Sequence, residues 1–237
     1  MTDEPVHEVF AQDVAVASES AIVDRRYSFT AQFFIAAARQ TQLSGEIESR
    51  GAGVPDIDRH THLGFVVGAI LQSAAGLEAE IAEIVDHGPG HHLGSGGIDE
   101  VARDFLRPLA AVIDKQPTLE RYRLVLHLLE KQPLDAGAQP WQDTAWVIKL
   151  RNYIVHYKSQ WESEGEDRKL LELLQRKKFV PPPFYDPASG FFPHLCLSTA
   201  CAKWATDTCM AFLAKFYEHL GIDNPLSPFA ALIGKTS

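Results

Sequence analysis

The chain has 237 residues, 46% hydrophobic and 22% charged, the balance of an ordinary soluble fold rather than of a disordered or fibrous chain. Its 31 Asp and Glu against 22 Lys and Arg leave a formal net charge of −9, which excludes broad, non-specific binding of DNA through the surface as a whole. Three cysteines, Cys196, Cys201 and Cys209, are too few for a disulfide framework and lack the C-x2-C spacing of a zinc site, so they read as small buried hydrophobes.

Residues 1–18, acidic and alanine-rich, read as a flexible segment ahead of a single domain over residues 19–237. The start, MTDEPVHEVF, carries acids where an export signal carries Lys or Arg. The longest apolar run, 65–75, is too short for a bilayer and is interrupted by Gln72. A cytoplasmic location and no membrane partner are expected.

Apolar residues recur at helical spacing throughout, and no run alternates as a strand would. A first helix is expected over 22–48, ended by Gly51, Gly53 and Pro55, and a second over 58–86, closed by His87-Gly-Pro-Gly90. A glycine-rich loop follows, holding His91 and His92. With only Asp86 nearby to assist His87 and these two, no native metal site is expected there. Shorter helices are expected over 98–115, where Pro108 kinks or splits the run, and over 118–131, between Pro117 and Pro133. Then come a strongly patterned helix over 141–161, a charged one over 166–178, a proline-rich irregular stretch, and a last long helix over 194–220 stopped by Gly221. His60 and His62 are expected at the surface, and His127 in the core or at its boundary. The fold class expected is all-α: a bundle of four long helices with additional short ones.

In the helix over 141–161, steps of about 100° per residue align Val147, Leu150, Ile154, Tyr157 and Trp161 on a core stripe. Asn152 and His156 fall on nearly the opposite side with Lys149 beside them, and Arg151 lies between the two faces. Ile148 and Val155 form a second, smaller apolar patch next to Asn152 and His156, suited to packing against a second subunit. In the helix over 58–86, Val67, Leu71, Ala74, Ile81 and Val85 make the stripe, with Glu78 at its edge. Glu78 is expected either to pair with Arg151 or Asn152 or to turn toward solvent, and Glu80 and Glu83 to lie on the wet face.

These residues carry a resemblance. Arg151-Asn-Tyr-Ile-Val-His156 resembles the R-x4-6-H motif of the HEPN superfamily, with a polar residue after the arginine and flanks Trp146-Val-Ile-Lys-Leu and Tyr157-Lys-Ser-Gln-Trp similar to those seen there. Gln72-Ser-Ala-Ala-Gly-Leu-Glu-Ala-Glu-Ile-Ala-Glu83 resembles the S-A-A-x-L-E-A-x-I-x-E-L helix of stand-alone bacterial members. The likeness covers roughly residues 22–161. It implies a HEPN-like helical bundle and a homodimer that cleaves RNA without metal or cofactor, as a toxin or defence effector with an antitoxin or regulatory protein for a partner.

The residue types suit that chemistry. A ribose 2′-OH attacking the adjacent phosphate, to leave a 2′,3′-cyclic phosphate, needs proton transfer near neutral pH, the task of His156. Charge developing on phosphorus calls for a fixed cation, which Arg151 supplies as a bidentate fork. Asn152 orients the histidine or the phosphate, and Lys149, Tyr157 and Glu78 support the site. A five-residue offset sets Arg151 and His156 about 140° apart on a regular helix, so two facing copies are needed to complete a site. The same constellation also suits a non-catalytic RNA- or protein-binding module, or a polar network joining helices.

Overall fold

The computed structural model describes residues 28–89, 100–158, 168–186 and 192–234. Among them all regular structure is helical and no strand occurs. The elements are α1 (Thr30–Glu48), α2 (Asp56–His87), α3 (Glu100–Leu106), α4 (Ala110–Ile113), α5 (Thr118–Leu128), α6 (Trp141–Val155), α7 (Arg168–Arg176), α8 (Phe192–Cys196), α9 (Thr199–Leu220) and α10 (Ala230–Ile233). The expected N-terminal segment, the start of the first helix at 22–27, His91, His92 and Trp161 lie outside the described residues.

The boundaries follow the local chemistry. Pro55 and Pro117 precede α2 and α5, where a fixed φ suits entry and no amide N–H is lost from the ladder. Pro108 splits the third run into α3, a 3-10 turn over Arg107–Leu109, and α4. Gly221 closes α9 at φ +79, a left-handed conformation that a side chain would strain.

Several boundaries differ from the sequence expectation: residues 28 and 29 stand outside α1, which begins at Thr30, and α5 ends at Leu128 rather than 131. The last long helix is broken: α8 ends at Cys196, and Ser198 stands in extended conformation as the N-cap of α9, its side chain accepting the Cys201 N–H at 3.3 Å. Helix α6 stops at Val155 rather than continuing to 161, with His156 at φ −103, ψ 15 as its C-cap. A 3-10 turn over Ser227–Phe229 and α10, which packs back on α1, were not expected.

Helix α2 packs against α1, α5, α6 and α9, and α9 packs against α1, α2, α5 and α6, so these two lie at the centre. With partners on several sides, α2 buries more than one stripe: Val66, Ala69, Ile70, Ala74, Leu77, Ile81, Ile84 and Val85 are all enclosed. The expected stripe therefore needs correcting, since Val67 and Leu71 are only half-buried. Small residues let α1 and α2 approach closely. A Cβ on Gly76 would stand 2.6 Å from Cε2 of Phe34, whose side chain is fully buried. A second small cluster, Ile47, Val54 and Phe184 with Phe65 and Tyr185, seals the end of the α1–α2 pair beneath the proline-rich stretch.

Helix α2 is also long and apolar enough, by length and composition, to cross a membrane: an 18-residue window has mean hydropathy 1.4, beyond the shorter run read from the sequence, and 50% of that window is buried inside the fold.

Candidate functional site

Helix α6 starts after Pro140, whose carbonyl accepts the Thr144 hydroxyl at 2.9 Å. Val147 and Leu150 are fully buried, and Ile148, Tyr153, Ile154 and Tyr157 pack on the core at its edge. Seating this side leaves Lys149, Asn152, Val155 and His156 exposed on the other. The Lys149 ammonium lies over the Trp146 ring, 4.2 Å from its centroid.

Arg151 turns sideways toward α2 and forms an ion pair with Glu78 through Nη2 and Oε1. Its Nη1 donates to Asn152 Oδ1 at 2.9 Å, and the Thr118 hydroxyl donates to Glu78 Oε1 at 3.4 Å. The pair thus joins α6, α2 and α5 and is half-exposed, with Arg151 at 22% and Glu78 at 40% of full side-chain accessibility. Of the two expectations for Glu78, pairing is the one observed. His156 stands at the end of the helix and makes no side-chain hydrogen bond among the described residues. Within one chain the structure therefore joins Arg151, Asn152 and Glu78 but leaves His156 apart, in line with the angular offset. Tyr157 packs elsewhere, stacked on Phe192 at 5.9 Å and edge-on to Tyr153 at 5.7 Å.

Asp143 organises the other end of α6. Its Oδ2 accepts from Lys177 Nζ at 2.5 Å and from Trp204 Nε1 at 3.3 Å, and its Oδ1 accepts from Gln139 at 3.0 Å. Partial burial pushes this carboxyl up, but the three donors outweigh it and hold it below its ordinary value.

Two polar residues expected at the surface are buried, and both correct the sequence reading. Glu80 is 1% exposed and accepts the hydroxyl of Tyr217, itself fully buried. Burial, then the nearby Glu80 charge, pushes the phenols of Tyr122 and Tyr217 well above their ordinary range. His62 is fully buried; its Nε2 lies 2.8 Å from Glu48 Oε1, and its ring meets Phe184 edge-on at 5.0 Å. Glu48 Oε1 also accepts the Thr199 N–H at 2.8 Å, so one carboxylate serves both the histidine and the first turn of α9. The signal was present in the spacing. Positions 62, 66, 73, 77, 80 and 84 fall on one helical stripe whose other members are buried. Glu83, also expected on the wet face, is half-buried and accepts the Phe29 N–H at 3.3 Å. His127 is exposed rather than at the core boundary, and His60 is exposed.

Cys196, Cys201 and Cys209 are all buried free thiols, and burial raises the latter two above their ordinary value. Among the described residues no three His, Cys, Asp or Glu side chains cluster as metal ligands would. An open depression of about 410 Å³ is lined by Tyr217, Glu218, Gly221, Ile222 and Asp223, and by no residue of α6. Comparison with protein-family models, with curated proteins and with solved structures found no match for this chain.

Proposed function

We propose that the chain is a cytoplasmic HEPN-like protein that acts as a symmetric homodimer and cleaves RNA without a metal. The observation that carries this reading is the exposed face of α6. His156 and Asn152 stand open to solvent beside Val155, and Arg151 is oriented next to them by Glu78. A two-fold axis close to Val155 brings two such faces together, so that Arg151 of one copy and His156 of the other approach one phosphate. His156 then takes the proton from the ribose 2′-OH, whose oxygen attacks phosphorus as the P–O5′ bond breaks and the leaving 5′ oxygen takes a proton from water. Arg151 stabilises the charge on the phosphoryl oxygens once RNA has drawn it from Glu78, and Asn152 holds the phosphate in place.

The test is cleavage of a mixed RNA pool in EDTA. The expected result is fragments ending in 2′,3′-cyclic phosphate, lost in Arg151→Ala and His156→Ala. Intact RNA after prolonged incubation with folded protein counts against catalysis. A second reading, a non-catalytic module that retains RNA or a regulatory protein, is favoured by the Arg151–Glu78 pair, which occupies the cation that catalysis needs, and by the net charge of −9. It predicts retention of RNA or protein without turnover.

A further inference from the structure

The acidic surplus of the chain is absent from α6. From position 144 to 158 there is no Asp or Glu, while Lys149, Arg151, Lys158 and His156 all occur there, in a protein of net charge −9. The acid that does sit on α6, Asp143, has its charge matched by Lys177 at 2.5 Å, and Arg176 and Lys178 beside that lysine are exposed. Arg151 is paired with Glu78 of α2, so among the described residues the unpaired charge of this segment rests on Lys149 and Lys158; it is opposite in sign to that of the molecule as a whole and complementary to a polyanion.

Aromatic surface runs along the same side. At about 100° per residue, Trp146, Lys149, Tyr153 and His156 fall within roughly 80° of one another, on a line that begins beside Asp143. Trp146 and Tyr153 are half-buried and packed on the core, the Tyr153 ring also meeting Phe192 at 4.7 Å, while Lys149 and His156 are exposed. From Trp146 to His156 the line is about 15 Å long at 1.5 Å per residue, room for roughly two to four nucleotides depending on how far the strand is drawn out from its stacked spacing of about 3.4 Å. An indole ring stacks only on bases whose faces are open, which a duplex hides.

From this we infer that single-stranded RNA docks along this line of α6, with Trp146 as the platform for a base and Lys149 as a phosphate contact. It rests on the RNA reading above and adds to it the direction of the strand and two residues outside the Arg151–His156 motif. Lys149 now covers one face of the Trp146 ring. An incoming base takes that face, and the released ammonium reaches the adjoining phosphate. The strand then leads along the helix to His156, where its next phosphodiester meets the site.

The test uses the full chain and 2′-O-methyl RNA hexanucleotides, which cannot undergo 2′-OH attack, with binding read by fluorescence anisotropy and by quenching of tryptophan emission. Expected are binding of the single strand in preference to a blunt RNA duplex, a loss on the order of tenfold in Trp146→Ala, and near-retention in Trp146→Phe. Lys149→Met is expected to lower the salt dependence of log K by about 0.7, the loss of one phosphate contact on a single strand. Circular dichroism checks that the variants fold, and Trp146→Phe and Lys149→Met keep the test decisive if Trp146→Ala does not. RNA binding by the wild type that neither Lys149→Met nor Trp146→Phe and Trp146→Ala distinguish overturns this docking line and leaves the RNA reading standing, as does a preference for the duplex. Failure of the folded wild type to bind or cleave any RNA overturns both. Selective binding of an acidic protein at Lys149, with no RNA bound, overturns both as well.

Discussion

Substituting Tyr217 by phenylalanine tests the buried carboxylate of α2. The exchange removes one oxygen and leaves the ring, which packs edge-on to Phe216 at 5.6 Å. Glu80 is 1% exposed and Tyr217 fully buried, so water does not replace the lost donor without opening the α2–α9 contact. A hydrogen bond from a neutral donor to a charged acceptor contributes about 1.5–3 kcal/mol net, and the lower half of that range applies where the acceptor has a further interaction. Glu80 has one. The expected destabilisation is about 2 kcal/mol, which lowers Tm by roughly 4–8 °C in a chain of this length. Urea unfolding followed by circular dichroism measures it, with Glu80→Gln and the double variant completing a cycle. Glu80→Gln keeps an acceptor for the hydroxyl and is expected to cost less than Tyr217→Phe. A cost below about 0.5 kcal/mol for Tyr217→Phe, or simple additivity in the cycle, refutes the reasoning.

Alkaline pH is expected to weaken the fold. Burial raises Tyr122, Tyr217, Cys201 and Cys209 in the folded chain, so the unfolded chain loses these protons first. Stability from these groups is intact below about pH 8 and declines as pH rises through the unfolded thiol and phenol range; an unchanged urea midpoint between about pH 8 and pH 10.5 contradicts this. Glu78→Gln is expected to cost no more than about 1 kcal/mol, because the pair it loosens is half-exposed, while freeing the Arg151 fork and tightening RNA binding in the same anisotropy assay. Equal or weaker binding by this variant tells against Glu78 as a competitor for Arg151. Gly76→Ala presses a methyl group into the fully buried Phe34 ring, and an expected loss of about 1–3 kcal/mol is read from the shift in urea midpoint; an unaltered midpoint shows that the ring yields.

Much of the helical layout is legible because proline and glycine punctuate it. Pro55, Pro108, Pro117 and Gly221 each mark a boundary that the structure keeps. The break between α8 and α9 was missed because Ser198 sits inside a run whose apolar periodicity continues on both sides; a serine cap competes with helix propagation without interrupting the pattern. The end of α6 at Val155 left no such mark, and nothing in the local sequence distinguishes position 156 from the preceding turn. Glu80 and His62 were misplaced for another reason. A single-stripe reading treats each helix as having one dry face, whereas α2 is enclosed by neighbours on several sides and holds its polar residues inside by pairing them with Tyr217 and Glu48. At the candidate site, angular position alone put Asn152 and His156 outward and Arg151 sideways, as observed. The choice of Glu78 over solvent depended on where α2 crosses α6, which follows from packing and not from either helix alone.

The measurement that bears most directly on the shared site is activity complementation. Arg151→Ala and His156→Ala are each expected to be inactive, and mixing them under conditions of subunit exchange assembles heterodimers with one intact composite site. Random exchange makes half the dimers mixed, each with one good site of two, so the mixture is expected to recover about a quarter of wild-type cleavage in EDTA. Recovery near that level, with a cyclic phosphate product, is the predicted result. An exchanged mixture as inactive as its components, beside an active wild type, contradicts a site shared between two copies.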